Sequence, residues 1–225
     1  MVSGNFDFEE AIAFAENPEP RCPCVLLLDV STSMQGAPLT ALEAGLQAFQ
    51  ADLNGDSLAA KRVEVAIATF ADRVEVLQDF VTADSFEAPR LRAGGMTYMG
   101  AAIHAALDLL RDRKAQYRSN GVAYYRPWIF LITDGAPSDD AEVLGAAATR
   151  IRDEEARKAL AFFVVGVEGA DMERLGSLTV RSPLKLKGLS FQELFLWLSA
   201  SMQQVSRSRP GEQVPLPSPT GWSEV

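Results

Sequence analysis

The sequence predicts a doubly wound α/β domain: a mainly parallel sheet with one antiparallel edge strand and helices on both faces. Three observations carry this reading. Two runs, Val25 to Leu28 and Trp128 to Ile132, are unbroken by charge, as in strands buried on both faces, and each leads to an aspartate, Asp29 and Asp134. Stretches with apolar residues at helical spacing alternate with the strand-like runs. One strand pair, 63–71 and 74–80, is separated only by Asp72-Arg73, so its members must pair antiparallel.

The bulk properties agree. A chain of 225 residues holds one such domain with a substantial core and leaves little room for a second. Its hydrophobic fraction is 48% and its net charge −9, which argues against nucleic acid or an anionic membrane as the main partner, because phosphate recognition relies on clustered Lys and Arg. Cys22 and Cys24 are one residue apart, too close for a useful disulfide, and with His104 far off they make a poor zinc site; they read as plain strand residues. The acidic start of the chain has neither a basic leader nor a long apolar run, so the expectation is a cytoplasmic protein without a membrane anchor.

Residues 1–20 read as an N-terminal arm, 21–207 as the domain and 208–225 as a Pro/Ser-rich tail. Within the arm, 5–16 suits a short amphipathic helix with Phe6, Ile12, Ala13 and Phe14 on its apolar side, either docked or partly ordered. Leu39, Leu42, Leu46, Phe49 and Leu53 give a helix one face to lay on a sheet, and Asn54-Gly55-Asp56 ends it, with Gly55 suited to a left-handed cap. Gly94-Gly95-Met96-Thr97 precedes a long helix over 98–118, with Thr97 at or beside its N-cap. Arg111, Arg113, Lys114 and Arg118 read as a solvated basic helix end complementing the helix dipole. A helix over 139–160, a strand over 161–167, a short helix over 171–176 and a closing helix over 191–205 follow. The segment 180–186 is a poor strand because Pro183 interrupts it. The tail is expected to lie extended and to pack through Trp222.

In doubly wound sheets the site forms in loops at the carboxyl ends of the strands, where the strand order reverses. Side by side, the strands ending at Asp29 and Asp134 put both carboxylates on one rim. Asp29, Ser31 and Ser33 stand at i, i+2 and i+4, and Thr97 follows the glycine pair. Two carboxylates and three hydroxyls, with no imidazole and no thiolate, suit Mg2+ or Mn2+ rather than zinc. At most two charges come from the chain, so a cation there retains affinity for one more anionic oxygen, such as an Asp or Glu of a partner protein.

The segments Asp29-Val-Ser31-Thr-Ser33, Thr97 and Thr133-Asp134-Gly135 resemble the metal-ion-dependent adhesion site of the von Willebrand factor A domain, over about Arg21 to Leu186. The resemblance implies a Rossmann-like fold and a non-enzymatic, cation-dependent protein-interaction module. Ser31, Ser33 and Thr97 would contact the cation through hydroxyls and Asp29 and Asp134 directly or through water; the cation is Mg2+, or else Mn2+ or Ca2+. Ser33-Met-Gln-Gly36, Gly94 to Ala102, Thr133 to Asp139 and the closing Phe191 to Met202 are similar to bacterial cytoplasmic members of the YegL and TerY type, associated with tellurite-resistance and stress-response gene sets. Met96 departs from the more usual Gly-Gly-Thr by one inserted residue.

Other chemistries fit these residues less well. A Mg2+-dependent phosphohydrolase using Asp29 as its nucleophile wants a second aspartate two residues on, where this chain has Ser31. Helix capping alone would explain one of the three segments at a time. His104 reads as a helix residue with a satisfied ring. The glycine pair is followed by no Gly-Lys-Ser or Gly-Lys-Thr, so nucleotide binding is unsupported. Tyr124-Tyr125 suits either an exposed loop or edge packing.

Overall fold

The structure, a computed structural model, describes residues 8–224. Strands β1 (Cys22–Asp29), β2 (Val63–Phe70), β3 (Val74–Thr82), β4 (Trp128–Thr133), β5 (Ala161–Gly166), β6 (Leu184–Leu186) and β7 (Ser223–Glu224) form one sheet in the order β3-β2-β1-β4-β5-β6-β7. β1 pairs in parallel with β2 and with β4, and the parallel run continues through β5 to β6. β3 closes one edge antiparallel to β2. This is the mainly parallel sheet with an antiparallel edge that the sequence predicts.

Helices α1 (Phe8–Glu16), α2 (Ala37–Gly55), α3 (Ala59–Arg62), α4 (Met99–Ser119), α5 (Ala141–Ala156), α6 (Met172–Leu178) and α7 (Phe191–Ser206) complete the described chain. The unbroken apolar character of β1 follows from its having a core on each side. Cys22, Cys24, Leu26 and Leu28 join the cluster under α2 and α7, while Val25 and Leu27 join the one under α4, α5 and α6. Both cysteines are unbridged and buried, and burial pushes the Cys22 thiol up to about 12, so they behave as small apolar side chains.

Several expectations need correction. Gly55 does not take a left-handed conformation; it stays in α2, and the chain is turned by Asp56, whose Oδ1 accepts from the amides of Leu58 at 3.0 Å and Ala59 at 2.9 Å to start α3. A strand does form after Pro183, but only over Leu184–Leu186, because the proline lies outside the paired residues. The tail does more than lie on the surface: Trp222 is buried, and the two residues after it pair antiparallel with β6. Of the expected apolar side of the arm, Phe14 is buried while Ile12 and Ala13 face solvent; Phe6 lies outside the described residues.

The basic end of α4 is not simply a solvated face. Arg111 and Arg118 are exposed, but Arg113 turns inward to Glu64 with two bonds of 2.9 Å, and Lys114 pairs with Glu154 at 3.5 Å. Glu64 also accepts from Arg21 at 2.9 Å and from the Tyr117 hydroxyl, so one buried carboxylate gathers three side chains at the amino ends of the parallel strands. Phe14 of α1 lies beside both guanidiniums, with its ring centre 5.5 Å from Arg21 and 4.9 Å from Arg113. Tyr125 is buried and donates to the carbonyl of Ser208 at 2.6 Å, which settles the tyrosine pair as packing for that residue.

Candidate functional site

Chain order reverses between β1 and β4, and the Leu28 to Ile132 pairing brings the ends of these strands together. Asp29 is the last residue of β1, fully buried, and Asp134 follows β4. The next loop is fastened to the first by backbone. The Gly94 amide donates to the Val30 carbonyl at 2.8 Å, and the Gly95 carbonyl accepts from the Thr32 amide at 3.1 Å and its hydroxyl at 3.0 Å. Gly95 has φ +86, and a Cβ there would stand 2.5 Å from Oδ2 of Asp72, so this turn requires glycine. Asp72 in turn accepts from the Met96 amide at 2.8 Å. The inserted methionine is thus accommodated by a carboxylate from the β2–β3 turn, and Thr97 follows directly.

All five sequence-predicted residues gather on this rim. The Ser31 amide donates to Asp29 Oδ1 at 2.8 Å, the Ser31 and Ser33 hydroxyl oxygens lie 3.0 Å apart, and the Ser33 hydroxyl donates to Asp134 Oδ1 at 2.7 Å. Gly135 sits between the remaining members: a Cβ on it would lie 3.1 Å from Thr97 Oγ1 and 3.5 Å from Asp29 Oδ2. Thr97 is held by its own backbone, its amide donating to the Ser138 hydroxyl at 3.1 Å and its carbonyl accepting from the Ser138 amide at 2.8 Å.

Both carboxylates are under electrostatic stress. Burial raises the Asp29 pKa against the hydrogen bonds from Ser31 and Thr133 that pull it down, and the charge of Asp134 raises it further. Burial likewise raises Asp134, opposed by its bond from Ser33. No lysine or arginine is among the groups acting on either. Among the described residues no three carboxylate, imidazole or thiolate groups gather, so a cation at this rim would depend on the hydroxyls. The donor set, hard oxygens with two uncompensated carboxylates, fits a hard divalent cation.

Supporting residues were harder to read from sequence. Thr133 donates from its hydroxyl to Asp29 Oδ2 at 2.5 Å and accepts from the Gly135 amide at 3.2 Å, locking the two aspartate loops together. Asp139 accepts from the amides of Gly100 at 2.9 Å and Ala101 at 3.3 Å, capping α4 from the opposite loop. The available signals were the Thr-Asp-Gly triplet and the Ser-Asp pair after Pro137, which indicate a turn without naming its partners. Ser31 occupies the place a phosphohydrolase would need for its acid, and its hydroxyl is engaged with Ser33. Nδ1 of His104 lies 3.1 Å from a guanidinium nitrogen of Arg150, which makes it a satisfied helix residue.

A profile of the von Willebrand factor type A domain matches residues 24–184. No curated protein sequence matches the chain. Solved structures similar in fold include the pilus adhesin SpaC from Lactobacillus rhamnosus GG, with TM-score 0.67, 14% identity, and coverage of 83% of this chain and 30% of that one. A von Willebrand factor type A protein from Catenulispora acidiphila gives TM-score 0.63 and 15% identity over 82% of this chain and 43% of that chain. The vWF domain of the type V pili tip protein Mfa5 from Porphyromonas gingivalis gives TM-score 0.59 and 10% identity, covering 87% of this chain and 99% of that domain. The chain spans less than half the length of the first two.

Proposed function

The chain belongs to the von Willebrand factor type A domain family, and on that premise we propose that it is a non-enzymatic protein-interaction module whose partner contact runs through a divalent cation. Asp29, Ser31, Ser33, Thr97 and Asp134 would hold the cation, Mg2+ or else Mn2+ or Ca2+. One observation carries the reading: a single rim gathers two stressed carboxylates and three hydroxyls with no cationic side chain to offset them. A bound cation supplies a Lewis-acidic position open to an anionic oxygen. The chain's own residues do the remainder: Thr133 and the Ser31 amide orient Asp29, Ser33 orients Asp134, and Ser138 fixes Thr97. A partner presenting an Asp or Glu carboxylate answers that chemistry. The likeness of the loops to the YegL and TerY type extends the proposal to a bacterial cytoplasmic setting in stress or tellurite resistance.

Titration calorimetry of Mg2+ into the wild-type protein and Asp29→Ala tests the site. Binding heat in the wild type and none in the variant is expected; equal heats in both would sink the assignment. A phosphatase assay with Mg2+ is expected to show no turnover, and turnover abolished by Asp29→Asn would replace the interaction reading with an enzymatic one.

A further inference from the structure

Beside the metal-binding rim, on the face shared with α2, runs a groove of about 620 Å3. Val30 and Gly94 form its near wall, so it backs directly onto the loops carrying Ser31 and Thr97. Arg73, Arg90 and Arg92 line it. Their side chains are free to move toward a ligand: Arg73 is 84% exposed and Arg90 83%, each with only a long contact to a carboxylate, 3.8 Å to Glu75 and 3.6 Å to Glu43. Arg92 is exposed, with neither an ion pair nor a hydrogen bond among the described residues. Two acids also line the groove: Asp72, committed to the Met96 amide, and Glu75, 3.8 Å from Arg73, which leaves the arginines in excess by one. Three arginines thus meet beside the site in a chain whose net charge is −9.

The flank made by the Thr97 loop is apolar. Thr97 is 6% exposed, yet its neighbours Met96 and Tyr98 are 55% and 39% exposed among the described residues. A side chain that large and that open on the shoulder of a binding loop marks a contact surface rather than a core. The apolar shoulder adjoins the basic groove, since the Met96 and Tyr98 amides donate to Asp72 and Ala71 of the groove wall.

We infer that the partner docks through an acidic linear segment, with one carboxylate at the rim, further Asp or Glu residues along the Arg73–Arg90–Arg92 groove, and an apolar residue against Met96 and Tyr98. The inference rests on the metal-centred reading above and adds what the partner's sequence must look like. Charge complementarity carries it: the chain as a whole, at net charge −9, repels an acidic segment, while the three arginines of this groove attract it beside the rim.

Fluorescence anisotropy with synthetic peptides tests it. One short Gly-Ser peptide carries a single Asp-Leu pair; two others add three Glu before or after that pair. In Mg2+ at low ionic strength, one Glu-bearing peptide is expected to bind about tenfold more tightly than the plain one, and salt to erase the difference. Arg90→Glu/Arg92→Glu should bring it down to the plain peptide's affinity, while the same reversal at the distant exposed Arg111 and Arg118 should not. Both kinds of peptide should be released by EDTA and lost in Asp29→Ala. Equal affinities with release by EDTA would overturn the inference and leave the metal site standing. A Glu-bearing peptide that ignores EDTA and Asp29→Ala but is lost on the Arg90/Arg92 reversal would overturn the metal-centred reading instead. Absence of binding by every peptide, or tighter binding of a single-stranded oligonucleotide, would overturn the inference.

Discussion

The two ends of the parallel strands bury carboxylates in opposite ways. At the amino ends Glu64 meets two guanidiniums and a phenol, and although burial works to lower the Arg113 pKa, the bond with Glu64 and its charge hold it above its ordinary value. At the carboxyl ends Asp29 and Asp134 receive only hydroxyls and amides, and burial drives both pKa values up. The first carboxylate is neutralised by the chain itself and is architectural. The second pair is hydrogen-bonded but not neutralised, which is the charge imbalance the proposed cation would offset.

The largest test of that contrast is Glu64→Ala. It strands Arg21 and Arg113 in the interior and should cost about 3–5 kcal/mol in urea denaturation, whether or not Mg2+ is present. A cost below about 1 kcal/mol would show that the amino-end cluster is solvated and the contrast false. Next in size is the effect of the cation. Mg2+ at a hundredfold its dissociation constant should stabilise the wild type by about 2.7 kcal/mol and leave Asp29→Ala unmoved.

A smaller effect should appear with pH in the absence of metal. Burial sets the folded-state pKa of Asp29 above 3.8, so as pH rises from there the unfolded chain gives up its proton first and the folded chain still holds it. Stability contributed by the neutral carboxyl is therefore lost as pH rises through the folded-state pKa. Comparing denaturation of wild type and Asp29→Asn across that window should show a steeper decline in the wild type, the variant keeping only the share of Asp134, whose pKa burial also raises. In the same window Mg2+ affinity should fall as pH drops, because proton and cation compete for one carboxylate. The smallest effect is expected from Ser33→Ala. It removes a bond between exposed groups, about 0.5 kcal/mol of stability, while weakening Mg2+ binding about tenfold, since Ser33 both orients Asp134 and offers its own oxygen. Equal Mg2+ affinity in Ser33→Ala and wild type would remove the serine from the site.

The contrast also explains what was legible in the sequence. Asp29, Ser31 and Ser33 follow one another at fixed spacing, and Asp134 ends a strand of the same character as β1, so the rim could be read from local pattern plus one topological rule. The Glu64 cluster joins residues 43 and 49 positions apart, and nothing local marks Arg113 as different from the exposed Arg111 and Arg118. Gly55 departs from expectation for a related reason: the residue type permits a left-handed cap, but Asp56 offers the following amides a better acceptor. Thr133 shows in the sequence as a strand end and the first member of Thr133-Asp134-Gly135, but its bond to Asp29 depends on which loop faces it. Strands of two or three residues, such as β6 and β7, are too short to leave a periodic signature and exist because a neighbour offers a ladder.

β7 also decides how the sheet ends. Ser223 and Glu224 cover the outer side of β6 and leave that margin of the described sheet only two residues long, while the opposite margin, β3, carries the exposed charges of Arg73, Glu75 and Asp79. A two-residue strand offers an incoming chain too short a ladder to hold it, so the end of the tail, anchored by the buried Trp222, works as a blunt stop against sheet-to-sheet growth.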